Sequence, residues 1–173
     1  MTDFLRLIGE WVSFLWPLKQ VMQYERGVVF VFGRYWRTVE PGSYFIFPWF
    51  MYIHEVSVVP GMITTARLDL TLVSGKAVSL TASCWMRVVD PVLAVITVEN
   101  YEHTTLELLH AIIADRVSRV KHERLEPEGR AALLRDLTGW VALEAAEYGV
   151  EITKVRFSSF VDDIRVFRLI QDH

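Results

Sequence analysis

Residues Tyr24 to Pro48 read YERGVVFVFGRYWRTVEPGSYFIFP, and their punctuation decides the fold. Val29 and Val31 alternate with Phe30 and Phe32, as in a strand whose two faces differ. Gly33-Arg34 and Pro41-Gly42 interrupt that alternation as turns. Strand, turn, strand, turn within 25 residues is a tight β-meander. A single Gly-Arg or Pro-Gly pair says nothing; the whole string in order does.

Downstream, Tyr44 to Ile53 reads YFIFPWFMYI and carries no charge. A half-exposed sheet shows polar residues at alternate positions. Their absence means that both faces are covered, by protein or by lipid. Pro48, Trp49, Phe50 and Met51 read as the tip of a hairpin from Phe45 to Ile53. An exposed apolar tip marks a partner or membrane site, and a plain buried strand pair is the alternative.

Upstream, Phe4 to Met22 reads FLRLIGEWVSFLWPLKQVM. Apolar residues at 4, 5, 7, 8, 11, 12, 14, 15 and 18 form a wide helical face, and Asp3, Arg6, Glu10 and Ser13 form a polar stripe. The helix-compatible part before Pro17 spans roughly 20–22 Å at 1.5 Å per residue, short of the ~20 apolar residues of a spanning helix. Asp3 and Glu10 also exclude a cleavable leader. The expectation is an amphipathic helix over residues 1–22 lying in one leaflet, with a tilted or re-entrant span and a helix packed on protein as alternatives.

Beyond the meander, strand-like runs cover 56–59, 62–72 and 77–89. In the last of these Val78, Leu80, Ala82, Cys84, Met86 and Val88 share one face. Ser74-Gly75-Lys76 turns the chain into that strand. Asp90-Pro91 opens a short helix as cap and first residue. Longer helices are expected at 101–121 and 127–147, the second burying Leu133, Leu134, Leu137, Val141 and Leu143 and ending at Gly149. A strand at 150–160 and a short helical tail from 163 close the chain. Strands first, then helices and a returning strand, make an α+β fold.

The chain has 173 residues, 52% of them hydrophobic and 13% aromatic, with six Trp. Such Trp content suits a water–lipid interface. A net charge of −3 gives no reason to expect nucleic acid. The lone Cys84 allows no internal disulfide and reads as a small buried hydrophobe.

The meander resembles the start of the stomatin, prohibitin and flotillin family (SPFH or band-7 domain), through Glu25, Arg26, Val29, Gly33, Arg34, Arg37, Pro41, Gly42, Phe45, Pro48 and His54. The resemblance continues in Cys84-Trp85-Met86-Arg87-Val88 with Asp90-Pro91, and in Tyr148-Gly149-Val150-Glu151-Ile152-Thr153-Lys154-Val155, and so covers about residues 22–163. It departs at Leu72 to Ser79, where the family's acidic turn is missing, and after 163, where ten residues hold no heptads. The expectation is then a short member lacking the long C-terminal coiled coil, associating by ring or lateral contacts through the β/α domain.

The resemblance implies a membrane-associated, non-enzymatic scaffold that organises lipids or a client membrane protein, such as a protease or channel. The domain plan expected is a 1–22 anchor, a β-rich SPFH subdomain at 23–67, an α+β SPFH subdomain at 68–163 and a tail at 164–173. Membrane contact is expected from Phe4, Leu5, Leu7, Ile8, Trp11, Val12, Phe14, Leu15, Trp16, Leu18, Phe47, Trp49, Phe50 and Met51. Arg116, Arg119, Lys121 and Arg124, a basic run at a helix end, are expected to face acidic Glu144 and Glu147 of a further copy. Membrane lipid and further copies of the chain are the expected partners, and the location is a membrane, peripheral or monotopic.

An interaction module, or a minimal variant that packs into, caps or inhibits another assembly without touching lipid, is the rival reading. Catalysis has little support: no serine lies in a nucleophile elbow and no glycine loop could cradle phosphate. His103, Glu107 and His110 could share a helical face, but no fourth ligand accompanies them. No metal and no cofactor are expected.

Overall fold

The computed structural model describes residues 18–162, which divide into two compact units between Val59 and Pro60. The expected anchor residues before Leu18 and the tail from 163 lie outside the described residues.

The first unit holds five strands: β1 (Leu18–Val21), β2 (Glu25–Val31), β3 (Arg34–Val39), β4 (Gly42–Phe45) and β5 (Met51–Ser57). β1 pairs with β4, and β3-β2-β5 form a second antiparallel sheet. Val21, Val29, Val39 and Ile53 are buried between the sheets, with Tyr44, Ile46 and Met51 packed against them. Gly27 is required at this seam, because a Cβ there would lie 2.6 Å from both Ile53 Cδ1 and Val39 Cγ2. Lys19 Nζ, 3.2 Å from Glu55 Oε1, ties the two sheets at their margin.

Two expectations change here. Leu18–Val21 is a strand rather than the end of a helix, since pairing with β4 lets Val21 enter the core. The run from Phe45 to Ile53 is not a hairpin, because β4 pairs with β1 and β5 pairs with β2. The greasy segment is a crossing between sheets.

The second unit is built on β8 (Ala77–Val88), with β9 (Val150–Asp162) along one edge. β6 (Gly61–Thr64) and β7 (Leu68–Thr71) share its other edge. The sequence pattern sets the boundary between the subdomains at 67/68, yet β6 pairs with β8 and so belongs to this unit. Val78, Leu80, Ala82, Cys84, Met86 and Val88 are all buried, as their alternation predicts.

Three α-helices follow: α1 (Pro91–Ile96), α2 (Tyr101–Ser118) and α3 (Pro127–Ala145). Asp90 caps α1, its carboxylate accepting from Val92 N at 2.9 Å and Leu93 N at 3.2 Å. Asn100 caps α2 in the same way. α2 buries Leu109, Ile112, Ile113 and Val117; α3 buries Leu133, Leu137 and Val141 and lies along β9. Leu143, expected inside, is 73% exposed. Two residues beyond Val141 is half a helical turn, so it leaves the buried stripe.

After α3 a short 3₁₀ turn leads to Gly149, whose φ of 75° is left-handed. A Cβ there would also meet Asp90 O at 2.6 Å. Both the turn and the close approach therefore demand glycine.

Candidate membrane-contacting site

β2 and β3 are joined by two residues, Phe32 and Gly33, with Val31 paired to Arg34. Both have positive φ, 49° and 75°, the signature of a type I′ turn, which favours Asn-Gly. A bulky residue at positive φ is strained by about 1–3 kcal/mol. Phe32 N donates to Phe50 O at 2.8 Å, so this turn is fastened to the crossing between β4 and β5. Within that crossing Phe50 N and Met51 N both donate to Phe47 O, folding Pro48 and Trp49 outward.

The rings line up on this framework. Phe32 stacks on Phe50 with centroids 5.3 Å apart, and Phe50 stacks on Phe47 at 5.4 Å. Phe45 meets Phe47 edge-on at 4.9 Å. Stacking orders the rings without burying them: Phe32 is 79% and Trp49 87% exposed. Phe45, Phe47 and Phe50 are exposed as well. Four phenylalanines in ring contact, with Trp49 exposed between Phe47 and Phe50 in sequence, form an apolar surface of the kind that marks a partner or membrane site.

Phe47, Trp49 and Phe50 are thus brought together as expected of neighbours in sequence, and Leu18 is exposed on β1. Met51 differs: it is half-buried and packs on the core, because the first residue of β5 faces inward with Ile53. Phe32 and Phe45 complete the apex although the sequence reading did not select them. The signal for Phe32 was its place before Gly33, where Asn or Asp is usual.

The basic run is partly engaged within its own unit. Arg116 lies over the Trp140 ring at 4.2 Å, and Arg116 and Arg119 both pair with Asp115. Lys121, Arg124, Glu144 and Glu147 are exposed. His103 Nδ1 lies 3.6 Å from Glu107 Oε1, and among the described residues no three potential ligands gather. Burial pushes the Cys84 thiol up to about 11, and also raises Tyr148, whose hydroxyl is 3.1 Å from that of Thr105. Among the described residues no helix is long and apolar enough to cross a membrane.

The SPFH domain / Band 7 family profile matches residues 19–172. The chain belongs to that family. A stomatin homolog of Pyrococcus horikoshii is 28% identical over 138 residues, covering 80% of this chain and 52% of its own length. A stomatin homolog of Pyrococcus abyssi is 28% identical over 138 residues, covering 80% of this chain and 51% of its own. An uncharacterized protein of Archaeoglobus fulgidus is 29% identical over 139 residues, covering 78% and 54%. The chain spans about half the length of the curated relatives it matches. The α+β architecture agrees with the SPFH domain, and membership places the chain among stomatin-like, membrane-associated scaffolds at the level of the family.

Proposed function

We propose that this SPFH domain is a scaffold subunit held on a membrane by its aromatic apex, together with the apolar segment of residues 4–18. Copies associate side by side and confine lipids or a client membrane protein. The observation that carries this reading is the stacked row Phe32-Phe50-Phe47 with Phe45 and Trp49, ordered yet exposed. Burying one large apolar side chain contributes roughly 1.5–3 kcal/mol, so a few rings entering the acyl boundary suffice for partition. The backbone strain at Phe32 supports the same reading, since the turn accepts a costly residue where a cheaper one would fold better. Basic Lys121 and Arg124 facing Glu144 and Glu147 of a neighbour would supply one lateral contact.

Vesicle flotation of the full chain tests the proposal. Wild type floats with lipid, and Trp49→Glu with Phe50→Glu floats at least tenfold less while remaining folded. Equal flotation would remove the apex from the membrane and favour a protein partner for it.

A further inference from the structure

We infer that Arg34 and Arg37, with Trp36, Tyr35 and Tyr52, form a collar behind the apex that selects anionic lipid headgroups. The inference rests on the membrane reading above and adds the chemistry of the lipid.

Register comes first. Arg34 pairs with Val31 directly after the Phe32–Gly33 turn, and Arg37 pairs with Val29. Residues three apart on a regular strand point to opposite faces. Here the register shifts between Val29 and Phe30, leaving Trp36 as the extra residue on β3. That bulge returns Arg37 to the face of Arg34, the re-aiming that bulges commonly perform. Both arginines thus point the same way, roughly 7 Å apart, since they face Val31 and Val29, two steps of ~3.3 Å along β2.

Charge comes second. Between Arg26 and Glu40 the chain holds these two arginines and no carboxylate, and residues 41–53 hold no charge at all. Glu40 is taken by Arg26 at 3.0 Å. Among the described residues no carboxylate lies within 4.0 Å of Arg34 or Arg37. Arg37 instead lies over the Trp36 ring at 4.3 Å, a stacking that leaves its N–H fork free.

Height comes third. Tyr35 and Tyr52 flank Phe30 across the three strands and are exposed. Their hydroxyls have polar neighbours, Thr38 Oγ1 at 3.2 Å and His54 Nδ1 at 3.5 Å. Tyr and Trp of this kind mark the headgroup level. From the turn to Arg37, level with Val29, is about three ladder steps, or ~10 Å. The headgroup layer is about 5–8 Å thick on each side, and interfacial groups bury ~5–10 Å. Rings at the acyl boundary therefore set Arg34 among the phosphates and Arg37 at their outer edge, where its long side chain reaches back to that layer. A net negative surface then adds about a fivefold gain in partition per arginine.

The test is flotation of the full chain with neutral phosphatidylcholine vesicles and with vesicles about one-third phosphatidylserine. Wild type prefers the anionic vesicles by about tenfold or more at low salt, and ~1 M salt shrinks the preference. Arg34→Gln with Arg37→Gln loses about 25-fold on anionic vesicles and keeps its binding to neutral ones. Arg34→Lys with Arg37→Lys, which retains the charge, keeps the preference, as does Arg135→Gln on exposed α3 positions. Equal wild-type binding to both vesicles, or a preference that survives the glutamine pair, overturns the collar and leaves the apex standing. Flotation with neither vesicle removes the membrane reading and the collar together.

Discussion

The two units treat similar apolar residues in opposite ways. In residues 60–162 the aliphatic face of β8 is wholly buried against the sheet's helical side, and Leu80, Leu109, Ile113 and Leu137 are sealed. In residues 18–59 the core is only a few valines and one isoleucine, while the phenylalanines stack on one another in the open. Every aromatic ring pair among the described residues lies in this first unit. Hydrophobicity alone does not say where a side chain goes. Register and turn geometry do, and at the apex they aim the rings outward.

The largest expected effect falls on binding. Trp49→Glu with Phe50→Glu removes two rings of ~1.5–3 kcal/mol each, a loss of roughly a hundred- to ten-thousand-fold in vesicle partition, with thermal unfolding nearly unchanged. The mirror experiment is Leu137→Ala, which opens a cavity in the second unit. It costs about 2–5 kcal/mol of unfolding free energy by denaturant titration and leaves the partition of folded molecules alone. If both substitutions weakened stability equally, the contrast between the units would be lost.

Smaller effects sharpen the contrast. Phe32→Asn suits its positive φ and should stabilise the fold by about 1 kcal/mol while weakening vesicle binding about tenfold. Gain in one and loss in the other is the expected pair; loss in both would mean that Phe32 serves folding. Smallest is a pH effect. The Cys84 thiol, raised from 9.0 to about 11 by burial, stays protonated in the folded chain when the unfolded chain has begun to ionise. Its contribution is therefore complete below about pH 9 and is lost as pH rises through about 11. Cys84→Ala should flatten that part of the stability profile.

Sequence made the second unit readable because its signals are local. The alternation of β8, the Asp90 cap before Pro91 and Gly149 after α3 each involve neighbours within a few positions. The first unit resists because its pairing is not local. Tyr44 to Ile53 has no polar alternation, so nothing in it reveals that β4 joins β1, some twenty residues back, rather than β5. Met51 turns inward for the same reason. The apex was half visible: Trp49 and Phe50 announce themselves by their run, but Phe32 is brought to them by a hydrogen bond from its own amide to Phe50 O. The bulge that aligns Arg34 with Arg37 leaves no mark in composition.

The most direct measurement sets one exposed side chain of each unit against the other. Trp49 and Leu143 are both large, apolar and open to solvent. Each is replaced in turn by a cysteine carrying a nitroxide, the native Cys84 being buried and protonated. Quenching by an aqueous nickel chelate is then read with and without vesicles. The account predicts that vesicles shield the label at position 49 and leave that at 143 accessible. A label at 49 that stays as accessible as that at 143, with vesicles present and the protein bound, would contradict it.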